Sequence, residues 1–239
     1  MPRFAANLTM LFNEVAFLDR FALAAQAGFK AVEFPFPYAY RAADIRQRLD
    51  AHGLQLVLHN LPAGDWDAGE RGIACHPSRV EEFRTGVATA VRYAKALGVG
   101  QLNCLAGKAP AGVDALTLHH TLVANLRFAA QALKEAGLKL LIEPINSFDI
   151  PGFYLTRTHQ ALALLDEVKP CYIVNFAAQS EVGPSWQHPE HWFQTNAVSI
   201  AALGNALKDR SWLKRYVHIS SPEVYGTCTG RVMEDAPLN

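Results

Sequence analysis

Short apolar runs alternate with longer amphipathic ones along this chain, and that rhythm leaves few folds open. The runs AVEF (31–34), LQLVLH (54–59), LKLLIE (138–143) and CYIVNF (171–176) are nearly all apolar. Strands covered on both faces have that character. Between them, apolar residues recur at three- and four-residue spacing, as at Leu18, Phe21, Ala22 and Ala25, which is the period of a helix. Gly28, Gly53, Gly98 and Gly137 close these stretches, as glycine does past a helix end. The pattern predicts seven strands, at 3–8, 31–34, 54–59, 101–105, 138–143, 171–176 and 216–220. Helices are expected over about 18–27, 42–52, 80–97, 116–136, 159–168 and 189–207.

Parallel strands need crossover helices. The fold class is therefore α/β, with a parallel (β/α) arrangement like a TIM barrel. A closed barrel has eight strands, so seven leave it incomplete. An open doubly wound sheet is the other solution, but no G-x-G-x-x-G follows the first strand, where a dinucleotide fold carries it.

Composition removes several function classes. The 22 basic and 22 acidic side chains cancel, so nothing favours nucleic acid. Half of the 239 residues are apolar, too many for a disordered chain. No apolar stretch reaches the ~18 residues of a membrane span. Asn7, Asn13 and Glu14 stand where a signal peptide would have its apolar run, so a cytoplasmic location is expected. Cys75, Cys104, Cys171 and Cys228 form no C-x-x-C pair, which suits free thiols in a reducing compartment.

In a barrel, chemistry gathers where strands end. Those ends supply Asn7, Glu33, His59 with Asn60, Asn103 with Cys104, and Glu143 with Asn146. Glu143 ends an apolar strand before Pro144. A carboxylate there needs a cation or a donor. It is a metal ligand, a general base for a proton next to a carbonyl, or a salt-bridged rim residue. His59 binds substrate or assists a metal, or is a core histidine. The long loop after Asn60 is a lid carrying Trp66 and Ile73, or a solvated segment. Arg71 and Lys108 are candidates to hold an anionic substrate. His119 and His120 read as part of a helix face.

Residues 1–168 resemble the hydroxypyruvate isomerases, members of the xylose-isomerase-like TIM barrels. The stretches that carry this are RFAANLTMLF, AGFKAVEFPFPY, LHNLPAGDWDAGERGIACHP, GKAPAG and LLIEPINSFDIPGFYLT. The resemblance implies interconversion of hydroxypyruvate and tartronate semialdehyde. It also implies two glutamates as proton donor and acceptor near a divalent cation, Mg or Mn. Glu143, in IEPIN, matches the first glutamate. The acidic ligand of the family's sixth strand and the second glutamate of its eighth have no match.

Residues 169–239 instead resemble extended short-chain dehydrogenase/reductases, through KPCYIVNFAAQSEVGPSWQHPEHWFQTN, RYVHISSPEVYG and EDAPLN. That resemblance implies a Rossmann-like fragment in which Ala177 and Ala178 line NAD. Ser221 would hold substrate and Glu223 would assist, and Ser220 joins them in the cofactor-binding reading. Pro222 stands where the dehydratases often carry an acid. The Gly-rich loop and the Tyr-x-x-x-Lys pair of that family are missing. The expectation is a chimera with its seam near 167–171. It is an impaired isomerase of a small hydroxy-oxo acid, with a nicotinamide or nucleotide-sugar binder, or an inactive hybrid, as alternatives. An open sheet edge would favour homo-oligomers.

Overall fold

The structure is a computed structural model that describes residues 4–145, 147, 149–175, 178–179, 185–220, 222–226, 230, 232–233 and 235–237. The chain divides into two compact units, one running to residue 157 and one from residue 158 onward.

The first unit follows the expected rhythm. It runs β1 (Ala5–Asn7), α1 (Arg20–Gln26), β2 (Ala31–Glu33), α2 (Ala42–Ala51), β3 (Gln55–Asn60), α3 (Val80–Leu97), β4 (Gln101–Cys104), α4 (Ala115–Glu135) and β5 (Lys139–Ile142). The five strands form one parallel sheet in the order β1-β2-β3-β4-β5. α3 buries Phe83, Val87, Ala90, Ala94 and Leu97, and Gly98 ends it at φ 71°. That left-handed position suits a residue without a Cβ. α4 starts at Asp114, whose side chain accepts from the Thr117 N–H, and so satisfies a donor the first turn would leave free.

The two faces of the sheet differ. Phe34 stacks edge-on against Phe17 and Phe21, so the Val32/Phe34 side of β2 meets α1. Ala6, Val32 and Leu102 have no exposed surface. The opposite side carries the polar strand ends. Val32 pairs with Leu56 but Glu33 pairs with Leu58, so β3 holds one extra residue. This bulge shifts the phase of β3, so Leu58 shares a face with Glu33 although Leu56 pairs with Val32.

The second unit has α5 (Thr158–Val168), β6 (Tyr172–Asn175), α6 (Pro189–Phe193), a π turn (Gln194–Val198), α7 (Ser199–Leu207) and β7 (Arg215–His218). β6 and β7 are parallel and form a two-stranded sheet of their own. The seven expected strands are therefore all found among the described residues. The single helix expected over 189–207 is interrupted by the π turn. There, Asn196 both accepts from the Gln179 N–H and donates to the Gln179 carbonyl, at 2.8 Å each. A π turn re-aims side chains in this way. Arg210 clasps Asp166 with two bonds of 2.6 and 2.7 Å, which ties α5 to the end of α7. Among the described residues, no helix is long and apolar enough to cross a membrane.

Candidate active site

Pairing decides which strand-end residues share a face. Asn7 pairs with Glu33, Glu33 with Leu58, Asn60 with Asn103 and Asn103 with Leu141. Residues two apart point the same way, so Glu143 joins Leu141, and Asn60 joins Leu58. Asn7, Glu33, Asn60, Asn103 and Glu143 thus form one polar row along the carboxyl ends of the sheet. Two hydrogen bonds repeat within it. Asn7 Nδ2 donates to Glu33 Oε1 and Asn103 Nδ2 donates to Glu143 Oε1, both at 2.9 Å. The Thr9 N–H donates to Asn7 Oδ1, which turns the other end of that amide toward Glu33. Asn60 and Asn103 are buried, whereas Glu143 is exposed. One donor of the kind Glu143 was expected to need is therefore the Asn103 amide.

His59 is the main correction. It pairs with Leu102, so it lies on the face opposite Glu143. It has no exposed surface and offers none to a substrate. Its Nδ1 lies 3.0 Å from the Asn60 carbonyl, which puts the ring proton there. Its Nε2 has no hydrogen-bond partner among the described residues. Burial pushes its pKa down to about 4, so it is a neutral core histidine near pH 7. Tyr38, which the sequence did not single out, donates to the same carbonyl at 2.5 Å. Burial raises the pKa of that phenol, with Tyr93 adding to the effect. The only sequence signal for Tyr38 was a hydroxyl closing the run FPFPY just after β2.

The loop after β3 is exposed at 65–68 and packed in its second half. Ile73, Ala74 and Cys75 are buried. Gly72 has φ 108°, and a Cβ there would lie 2.5 Å from the Leu105 carbonyl oxygen. Gly107, at φ 100°, would place a Cβ 2.4 Å from the Gly72 oxygen. The loops after β3 and β4 therefore cross backbone to backbone. Arg71 lies over Trp66 at 3.9 Å and donates to the Trp66 and Glu70 carbonyls. Lys108 Nζ donates to the Gly69 carbonyl at 2.7 Å. Neither cation pairs with a carboxylate among the described residues. Glu70 goes to Arg79 instead, and that guanidinium holds its carboxyl below the usual range.

Mg²⁺ and Mn²⁺ ask for several oxygen ligands around one point. Among the described residues, no group of three or more His, Cys, Asp or Glu could hold a metal. Burial pushes the Cys75 and Cys104 thiols up to about 12, so they are poor ligands as well. Asn146, Ala177 and Ser221 lie outside the described residues, as does the side chain of Glu223. Ala178 and Ser220 are exposed.

A family model described as xylose isomerase-like TIM barrel matches residues 21–221. The chain belongs to that family. The match runs through the seam expected near 167–171. This xylose isomerase-like chain is 60% identical over 171 residues to hydroxypyruvate isomerase of Escherichia coli, covering 72% of this chain and 66% of the relative. It is 50% identical over 168 residues to 2-oxo-tetronate isomerase of Cupriavidus necator, covering 70% and 65%. The chain thus spans just under two thirds of the length of these curated relatives. A solved AP endonuclease, family 2, from Brucella melitensis is 34% identical, with a TM-score of 0.71 over 98% of this chain and 85% of that one. D-allulose 3-epimerase from Methylomonas sp., at 21% identity and a TM-score of 0.57 over 97% and 77%, shares the fold.

Proposed function

We propose that this chain carries an aldose–ketose type isomerase site for a small hydroxy-oxo acid, interconverting hydroxypyruvate and tartronate semialdehyde. The observation that carries this is Glu143, exposed at the end of β5 and oriented by Asn103. The names of the 60% and 50% identical relatives support the same reaction class. Glu143 takes a proton from the carbon bearing the hydroxyl, leaving an enediolate. It returns that proton to the former carbonyl carbon, while the hydroxyl proton passes to the other oxygen. One C–H bond breaks and one forms, so no oxidant is needed. Arg71 and Lys108, which donate to backbone carbonyls, would bind the substrate carboxylate. Asn60, and Asn146 beside Glu143 in sequence, would bind substrate oxygens.

One glutamate without a partner acid should turn over slowly, about 10²–10⁴-fold below a two-residue site. Proton NMR of hydroxypyruvate in D₂O with the purified chain tests this. The expected result is slow interconversion that Glu143→Gln abolishes. An unchanged rate in that variant would sink the assignment, and a rate equal to the Escherichia coli relative would sink the impairment.

A second reading is kept for residues 169–239, because β6 and β7 pair in parallel with helices between them, as nucleotide-binding units do. In it, Ala177, Ala178, Ser220, Ser221 and Glu223 belong to a nicotinamide or nucleotide-sugar binder. Trp186 is 84% exposed, so NAD binding should quench its fluorescence. Without a phosphate loop, the isomerase reading expects no saturable quenching.

A further inference from the structure

We infer that Asn103 is the positioning residue of Glu143. The inference rests on the isomerase reading above. Glu143 is exposed, and an exposed glutamate samples several rotamers unless something holds it. What holds it is buried. Asn103 is 6% exposed, and its backbone is locked on both sides. Its carbonyl accepts from the Leu61 N–H at 2.7 Å, and its strand pairs with β5 from Gln101↔Lys139 to Cys104↔Ile142. The side chain therefore leaves a rigid strand next to β5 and meets Oε1 of Glu143 at 2.9 Å. Only the NH₂ end of the amide can donate to a carboxylate, so the bond fixes both groups. It engages Oε1 and leaves Oε2 to move the proton. The same device stands at the other end of the sheet, where Asn7 on β1 holds Glu33 on β2 at the same distance. There, the Thr9 N–H sets the amide.

The carboxylate must lie within hydrogen-bond reach of the carbon-bound proton at a set angle, and a displacement of about 1 Å costs roughly 10²-fold in rate. Asn103→Ser shortens the side chain without adding bulk. It should lower kcat by about 10²-fold and leave KM within about twofold, because the cations that hold the substrate are elsewhere. Asn103→Asp gives a second readout. Its carboxyl can donate to Glu143 only when protonated, and when ionised it repels it. Activity in that variant should recover as the pH falls, a profile that a merely structural role would not produce.

A third readout needs no turnover. In ¹⁵N-labelled protein, the Asn103 side-chain NH₂ signals should shift as acid protonates Glu143, and Glu143→Gln should remove that shift. Static NH₂ signals, or an Asn103→Ser variant whose kcat matches the parent, overturn the inference. If the parent is inactive while the NH₂ signals follow Glu143, the isomerase reading fails and the pairing stands.

Discussion

His59 shows how much a single side chain depends on its parity. One residue along the strand separates it from Asn60, which belongs to the polar row, yet His59 faces the buried side with Leu102. The consequence is a pH dependence. In the folded chain, burial pushes its pKa from 6.5 to about 4. Unfolded, it protonates near 6.5. Between those values the unfolded state binds more protons, so stability falls as pH drops from 6.5 toward 4. The loss from this group approaches roughly 3 kcal/mol at the acid end. Urea titrations at pH 7 and pH 4.5 should show that part of the slope disappear in His59→Gln. A variant with the parent's slope would mean the imidazole is already charged in the fold. The histidine was legible as a strand-end residue, but its side of the sheet was not. Alternation fixes relative directions within a strand, while the bulge in β3 sets which of them faces the helices.

Among elements, the strands and helices of the first unit lie where the apolar rhythm placed them, because burial on both faces leaves its mark in composition. The loops are another matter. The segment after β3 was open between a lid and a solvated loop, and only packing shows which part is anchored: Ile73 and Cys75 are buried. Gly72 and Gly107 lie far apart in sequence, and nothing local signals that their backbones cross. Gly107→Ala should therefore cost at least about 2 kcal/mol, from the left-handed backbone and from contact with a carbonyl that cannot yield. Gly112→Ala is the control. It also has positive φ, but a Cβ there meets nothing within 4 Å, so it should cost about 1 kcal/mol. Thermal unfolding of the two variants measures the difference. Equal losses would show that the crossing contributes nothing.

Across the whole molecule, the charges cancel at neutral pH and the sequence pI is about 7.1. Self-repulsion that keeps molecules apart is then weakest near pH 7. Light scattering from pH 5 to 9 at low salt should show association peaking near neutrality, and a flat profile would refute that. The strand count was readable at this scale, and so was the family. Membership of the two sheets was not, because an apolar run says that a strand is covered without saying which strand lies beside it. Apolar periodicity, glycine stops and the residues around Glu143 are local, and the chain states them by itself. Which strands pair, which side His59 faces, and that a buried amide holds Glu143 all depend on hydrogen bonds between residues distant in sequence, which exist only once the sheet has formed.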